Sequence, residues 1–179
     1  MRCLSKIILA LLGLLMLCPA LCEAKQTYYP EDINDMFGKK TLVVTGENKV
    51  GTTDFLTYTC GGGAQFVAYG PVPSKICISV PKSGDYVQTS LIPDLKKLEF
   101  NYYPDGYNYS STIKVYVSTD GSAWSELSPS TSRNNYIAVD MPEVGDYYVK
   151  IQNTNNSNSF YLYLMAYTTE VCYCLKIVE

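Results

Sequence analysis

Short stretches of alternating apolar and polar residues, separated by turn-forming residues, run along most of the chain. Such alternation places successive side chains on opposite faces of an extended strand, and Gly, Asn, Asp and Pro between the stretches favour reversals. We predict strands at 41–45, 55–60, 64–70, 75–80, 97–103, 112–118, 135–141, 146–153, 159–167 and 170–178. Many short strands at roughly regular spacing predict an all-β, antiparallel sandwich or barrel.

The alternation also predicts which side chains enter the core. In the strands at 112–118 and 146–153, apolar residues share one face and more polar residues share the other. The predicted core side carries Ile113, Val115, Val117, Tyr147, Val149 and Ile151. The opposite side carries Lys114, Tyr116, Ser118, Tyr148 and Lys150.

The first 24 residues have the layout of an export signal, with a positive start, an apolar run and small residues ending at Ala24. We predict a signal peptide at 1–24, an N-terminal lead-in at 25–40 and a β-sandwich domain at 41–179. A short helix is expected at 30–37, because Pro30 suits a first helical turn and acidic residues follow it. No second apolar segment of membrane length occurs in the sequence. We therefore expect a secreted protein without a membrane span.

Four cysteines, Cys60, Cys77, Cys172 and Cys174, follow the predicted signal. An even number in an oxidising compartment is compatible with disulfides in three connectivities. Cys172 and Cys174 share one face of a predicted strand, so they should not bridge each other easily. A Cys60–Cys77 disulfide and free buried thiols remain as alternatives.

The chain contains no histidine, which excludes histidine-dependent hydrolase triads and most catalytic zinc sites. No glycine-rich loop precedes a helix in the pattern, so a phosphate cradle is not expected. The net charge of −3, with scattered lysines, argues against binding to nucleic acid. We therefore predict that the protein is not an enzyme and does not bind nucleic acid.

The chain contains seventeen tyrosines, which are the main candidates for ligand binding, and four of them lie within residues 101–110. Tyrosine rings stack on apolar surfaces while their hydroxyls reach polar partners, and turn residues here force some rings outward. The predicted ligand-binding residues are Tyr103, Asp105, Tyr107, Asn108 and Tyr109. Asp105 and Asn108 could also supply oxygens to Ca²⁺, but no cofactor is predicted. The alternative is a hairpin tip that covers the end of the sandwich.

The stretch 118–124 is similar to the Asp box of sialidases, Ser-x-Asp-x-Gly-x-x-Trp, with one residue fewer between Asp120 and Gly121. We interpret it as a structural turn, because glycine tolerates positive φ and aspartate can accept bonds from its own backbone. Trp124 is then expected to enter the returning strand and to pack in or beside the core.

Three segments in order, 83–103, 114–127 and 144–167, resemble the galactose-binding-like jelly-roll modules of secreted carbohydrate-active proteins from Gram-negative bacteria. Such modules often precede pectate-lyase-like domains. The resemblance covers roughly 55–168 and implies a two-sheet jelly-roll β-sandwich without catalytic function. It also implies a periplasmic or cell-surface location. It does not identify a set of ligand-binding residues in this sequence.

Together these features predict a secreted, non-catalytic β-sandwich module that binds a poly- or oligosaccharide weakly through loop-end tyrosines. The alternative is a surface or periplasmic module for protein interaction or structure, with no glycan ligand and an unknown protein partner.

Overall fold

The computed structural model describes residues 22–31, 42–69, 72–104, 113–133 and 135–174. The chain divides into two compact units, one formed by residues 1–26 with 170–179 and the other by residues 27–169. In the smaller unit, the side-chain amide of Gln26 donates a hydrogen bond to the carboxylate of Glu170 at 2.7 Å. The larger unit contains most of the strands and the candidate site.

The described residues form thirteen strands and no helix. The strands are β1 (Cys22–Glu31), β2 (Val43–Thr45), β3 (Val50–Thr52), β4 (Thr57–Gly61), β5 (Gln65–Tyr69), β6 (Val72–Val80), β7 (Tyr86–Thr89), β8 (Ile92–Pro104), β9 (Ile113–Ser118), β10 (Ser125–Leu127), β11 (Thr131–Arg133), β12 (Tyr136–Asn153) and β13 (Phe160–Cys174). In this part of the chain no helix is long and apolar enough to cross a membrane. The prediction of an all-β fold is confirmed.

The strands form two antiparallel sheets. Sheet 1 has the order β5-β6-β13-β8-β12-β11, with β1 beside β13, and sheet 2 has the order β2-β3-β4-β7-β12-β9-β10. The first part of β12 pairs with β8 in sheet 1, and its last part pairs with β7 and β9 in sheet 2. The chain is therefore an antiparallel two-sheet β-sandwich of the jelly-roll type, as predicted.

β12 differs from the prediction because it is one strand where we expected two. The expected turn around Pro142 and Gly145 is a pair of register shifts, one between Asp140 and Gly145 and one between Gly145 and Tyr147. Such irregularities bend a strand and let it pass from one sheet to another. The turn-forming residues here mark a bend within a strand instead of a loop.

The N-terminal lead-in also differs from the prediction. Pro30 and Glu31 belong to β1, so the expected helix does not begin at Pro30, and residues 32–41 lie outside the described residues. Proline is compatible with a strand that lies at the edge of its sheet. β1 runs across the predicted signal boundary at Ala24.

One hydrophobic cluster fills the space between the sheets of the larger unit. Sheet 1 contributes residues such as Ile78, Leu98, Phe100, Ile137 and Phe160. Sheet 2 contributes Tyr58, Val87, Val115, Val149 and Ile151, among others. Every side chain that the alternation assigned to the core is buried, so that prediction is confirmed.

Cys60 and Cys77 are buried free thiols and do not bridge each other. Burial raises the pKa of Cys60 to about 12, partly offset by the charge of Lys49, and burial raises the pKa of Cys77 to about 11. Of the two alternatives, the structure supports the free thiols. The side chains of Cys172 and Cys174 lie outside the described part of the structure.

Candidate functional site

The outward face of sheet 2 holds a row of polar and aromatic side chains. Lys150 on β12 pairs with Gln88 on β7 and with Tyr116 on β9, and Tyr116 pairs in turn with Glu126 on β10. Their neighbours along each central strand are buried in the core, so strand alternation directs these residues outward. Lys150 and Tyr116 are half-buried, which leaves part of each side chain accessible.

The ammonium group of Lys150 lies among three aromatic rings. Its nitrogen is 3.9 Å from the ring centroid of Trp124, 5.4 Å from that of Tyr86 and 5.6 Å from that of Tyr116. A cation is attracted to the electron-rich face of such rings, most strongly to tryptophan. One ammonium therefore gathers rings from three separate segments into one compact cluster.

Gly61 lets a tyrosine ring pack directly on the backbone, because a Cβ there would lie 2.2 Å from a ring carbon of Tyr86. The ring of Tyr148 lies beside Gly121, where a Cβ would be at ordinary contact distance, 3.6 Å from a ring carbon. Tyr148 is half-buried and precedes Lys150 by two residues, so it shares the outward face of β12. We call the surface formed by Tyr86, Tyr116, Trp124, Tyr148 and Lys150 the aromatic face.

The turn at 118–123 brings Trp124 to this surface. The Ser118 hydroxyl donates to Asp120 Oδ1 at 2.9 Å and accepts the amides of Asp120 and Gly121. Asp120 Oδ1 also accepts the amides of Ser122 and Ala123 at 2.8 and 2.9 Å. Those amide bonds, together with side-chain bonds from Ser118 and Ser122, lower the pKa of Asp120 well below its usual range. The prediction of a structural turn is confirmed, and Gly121 has the expected positive φ of 75°.

The prediction for Trp124 itself was wrong. Its half-buried ring lies against Lys150 and does not belong to the core cluster. The register explains this, because Leu127 pairs with Val115 and packs against the core. Because successive side chains of an extended segment point to opposite faces, Trp124, three residues before Leu127, points to the outward face.

Charges around the aromatic face are unevenly compensated. Lys114 forms an ion pair with Glu126 at 2.7 Å, and this hydrogen bond and charge raise the pKa of Lys114. Lys150 makes no ion pair with any carboxylate that the structure describes, and desolvation lowers its pKa. The Gln152 side chain, half-buried beside Tyr86 in the register, donates to the carbonyl of Gly84 at 3.2 Å.

No protein-family model and no curated protein matches the sequence. Among solved structures, a variant of a family 29 carbohydrate-binding module matches with a TM-score of 0.50 and 14% identity over 81% of this chain and 92% of that one. Another variant of that module, in complex with cellulohexaose, matches equally well. At such low identity these matches show a shared β-sandwich fold and nothing more.

A family two carbohydrate esterase from Cellvibrio japonicus also matches, with a TM-score of 0.43 and 8% identity over 87% of this chain. This chain spans 37% of the length of that esterase.

The predicted ligand-binding residues begin at the end of β8. Tyr103 is 52% exposed and pairs with Tyr161 of β13 in sheet 1. Asp105, Tyr107, Asn108 and Tyr109 lie outside the described residues, so the loop site stays a prediction. Within the described ranges no cluster of three ligating side chains could hold a metal ion.

The aromatic face is the candidate that sequence reasoning missed. The alternation did place Tyr116, Tyr148 and Lys150 on the side opposite the core, but we used it only to define the core. Tyr86 belongs to β7, a short strand outside the predicted set, and Trp124 was expected to pack in or beside the core. Only the register of β7, β12, β9 and β10 shows that these side chains meet.

Proposed function

We propose that the protein is a secreted, non-catalytic module that binds a poly- or oligosaccharide on the aromatic face. The observation that carries the proposal is the cluster of Tyr86, Tyr116 and Trp124 around Lys150 on an outward sheet face. Sugar rings have apolar faces that stack on aromatic rings, while their hydroxyls need polar partners nearby. Lys150 and Gln88, which pair across β12 and β7, supply such partners.

The fold and the sequence support this proposal further. Solved structures with the same fold include carbohydrate-binding modules, and the N-terminal pattern favours export. Glycoside hydrolysis needs two suitably placed carboxyl groups. Glu126, which pairs with Tyr116 in the register of the aromatic face, forms an ion pair with Lys114. This arrangement supports a non-catalytic role. Stacking on a few rings predicts weak binding, with a Kd on the order of micromolar to millimolar.

A glycan array followed by titration calorimetry tests the proposal. Trp124→Ala should weaken binding about threefold to tenfold, since a stacked ring contributes roughly 0.5–1.5 kcal/mol. Tyr28→Ala is the matched control, because Tyr28 is 59% exposed on β1 of sheet 1. Circular dichroism should show that both variants keep the fold.

Two outcomes would contradict the proposal. The first is that the wild-type protein binds none of the neutral and acidic glycans on the array. Capture of one protein in stoichiometric amount would then favour the alternative function, a protein-interaction module. The second is equal loss of binding in Trp124→Ala and Tyr28→Ala, which would place the glycan elsewhere.

The tyrosine-rich loop remains a second candidate site for the same function. The exposure of Tyr103 at the end of β8 favours it. Tyr103→Ala and Tyr107→Ala should weaken binding if the glycan lies on the loop, and should leave it unchanged if the glycan lies on the aromatic face. Because Tyr103 belongs to sheet 1 and the aromatic face to sheet 2, the two sets of variants separate the sites.

A further inference from the structure

We propose that the aromatic face selects a glycan that carries a carboxylate, and that the Lys150 ammonium pairs with the carboxylate of a uronic acid residue. This inference rests on the proposed function and specifies the chemical class of its ligand. The inference concerns the positive charge of Lys150, which is not needed to bind a neutral sugar.

The first argument is the balance of charge on this face. Lys114, which lies opposite Gln152 in the register, is compensated by Glu126 at 2.7 Å. Lys150 has no such partner among the described carboxylates. The chain as a whole carries a net charge of −3, so a general attraction for polyanions is not expected. A preference for acidic sugars would have to come from a local cation such as Lys150.

The second argument is the environment of the ammonium group. The ring of Trp124, 3.9 Å away, covers one side of it, while the partial exposure of Lys150 leaves another side accessible to ligand. An ammonium has three donors and the rings engage it only through their faces. Partial burial lowers the pKa of Lys150, which means that its surroundings disfavour a lone charge. A bound carboxylate would offset that penalty and would also accept charge-assisted hydrogen bonds.

The competing explanation is that Lys150 only donates hydrogen bonds to sugar hydroxyls. Lys150→Gln distinguishes the two, because glutamine keeps donors on a flexible chain but carries no charge. Lys97→Gln is the matched control, since it removes the same charge from β8 in sheet 1, where Lys97 pairs with Glu99. Both variants therefore have the same net charge.

The experiment measures the Kd of the full chain for two uronate oligosaccharides, a hexagalacturonate and a glucuronate-containing xylan fragment, and for their methyl esters. Esterification removes the charge and keeps the rings and linkages. At low salt the wild-type protein should bind at least one acid about threefold to tenfold more tightly than its ester. The preference should fall with added salt, disappear in Lys150→Gln and persist in Lys97→Gln.

Several outcomes would overturn the inference and leave the proposed function intact. One is equal binding of acids and esters by the wild-type protein, and another is retention of neutral glycans alone, in each case with binding still sensitive to Trp124→Ala. A third is an equal loss for acid and ester in Lys150→Gln, which would make Lys150 a hydroxyl donor. If no glycan of any kind binds, the proposed function itself fails.

Discussion

The side chain of Tyr86 occupies the space in which a Cβ on Gly61 would lie, only 2.2 Å from a ring carbon. Gly61→Ala must therefore displace the Tyr86 ring from its place beside Lys150, although it removes no atom of the aromatic face. We expect the affinity for glycan to fall about threefold, which corresponds to loss of part of one stacking contact. Titration calorimetry of Gly61→Ala measures this change.

A double-mutant cycle provides the control for Gly61→Ala. In a Tyr86→Ala background the added methyl group has no ring to displace, so Gly61→Ala should cause no further loss of affinity. An equal loss in both backgrounds would show that Gly61 acts through the strand itself and not through Tyr86.

The thiols of Cys60 and Cys77 should be almost inert in the native protein. Both are buried, and their pKa values are raised to about 12 and about 11, so little thiolate forms near pH 8. Iodoacetamide should label these two residues slowly in buffer and rapidly in guanidinium chloride, and peptide mass spectrometry separates them from Cys172 and Cys174. Rapid native labelling of Cys60, or a Cys60–Cys77 crosslink, would contradict the structure.

Asn153 should be important for stability. Its buried amide donates to the carbonyls of Val80 at 2.9 Å and Asn158 at 2.8 Å, and its oxygen accepts the amide of Asn155. Asn153→Ala removes the partner of the buried Val80 carbonyl and of the partly buried groups of Asn155 and Asn158, so the free energy of unfolding should fall by about 2–4 kcal/mol. Urea denaturation measures the change.

The exposed Asn156, in the loop that follows β12, is the control for Asn153. Asn156→Ala should change the free energy of unfolding by less than about 0.5 kcal/mol, as is usual at exposed positions. Similar small effects in both variants would mean that the hydrogen bonds of Asn153 are replaced by water.

Local patterns were sufficient for the class of fold and for the core. Alternation in β9 and in the last part of β12 assigned Val115 and Val149 to the inside, because a period of two leaves a strand no other way to bury its apolar face. The same pattern failed at Pro142 and Gly145, where turn-forming residues produce a bend in β12. Turn composition alone does not distinguish a reversal from a bulge.

The aromatic face depends on pairing between distant segments, which local patterns do not contain. Tyr86 meets Lys150 only because β7 pairs with β12, and Trp124 meets Lys150 only because the turn at Ser118 directs β10 back along β9. The burial of Asn153 and its bond to Val80 likewise depend on pairing between distant segments. Residue composition predicted that tyrosines could bind a ligand but not which of them lie together.

The carboxylate of Asp120 should make the stability of the protein depend on acid pH. The hydrogen bonds that it accepts from Ala123, Ser122 and Ser118 lower its pKa, so its contribution to stability is complete above the ordinary pKa range of an aspartate. That contribution is lost as the pH falls below about 4 toward the lowered value. Asp120→Asn keeps an acceptor oxygen but cannot titrate.

The stability advantage of the wild-type protein over Asp120→Asn should therefore shrink as the pH falls. Urea denaturation at a series of pH values from about 7 to about 2 measures this difference in the free energy of unfolding. All other carboxyl groups are common to the two proteins, so a constant difference across this range would contradict the role of Asp120 in the turn.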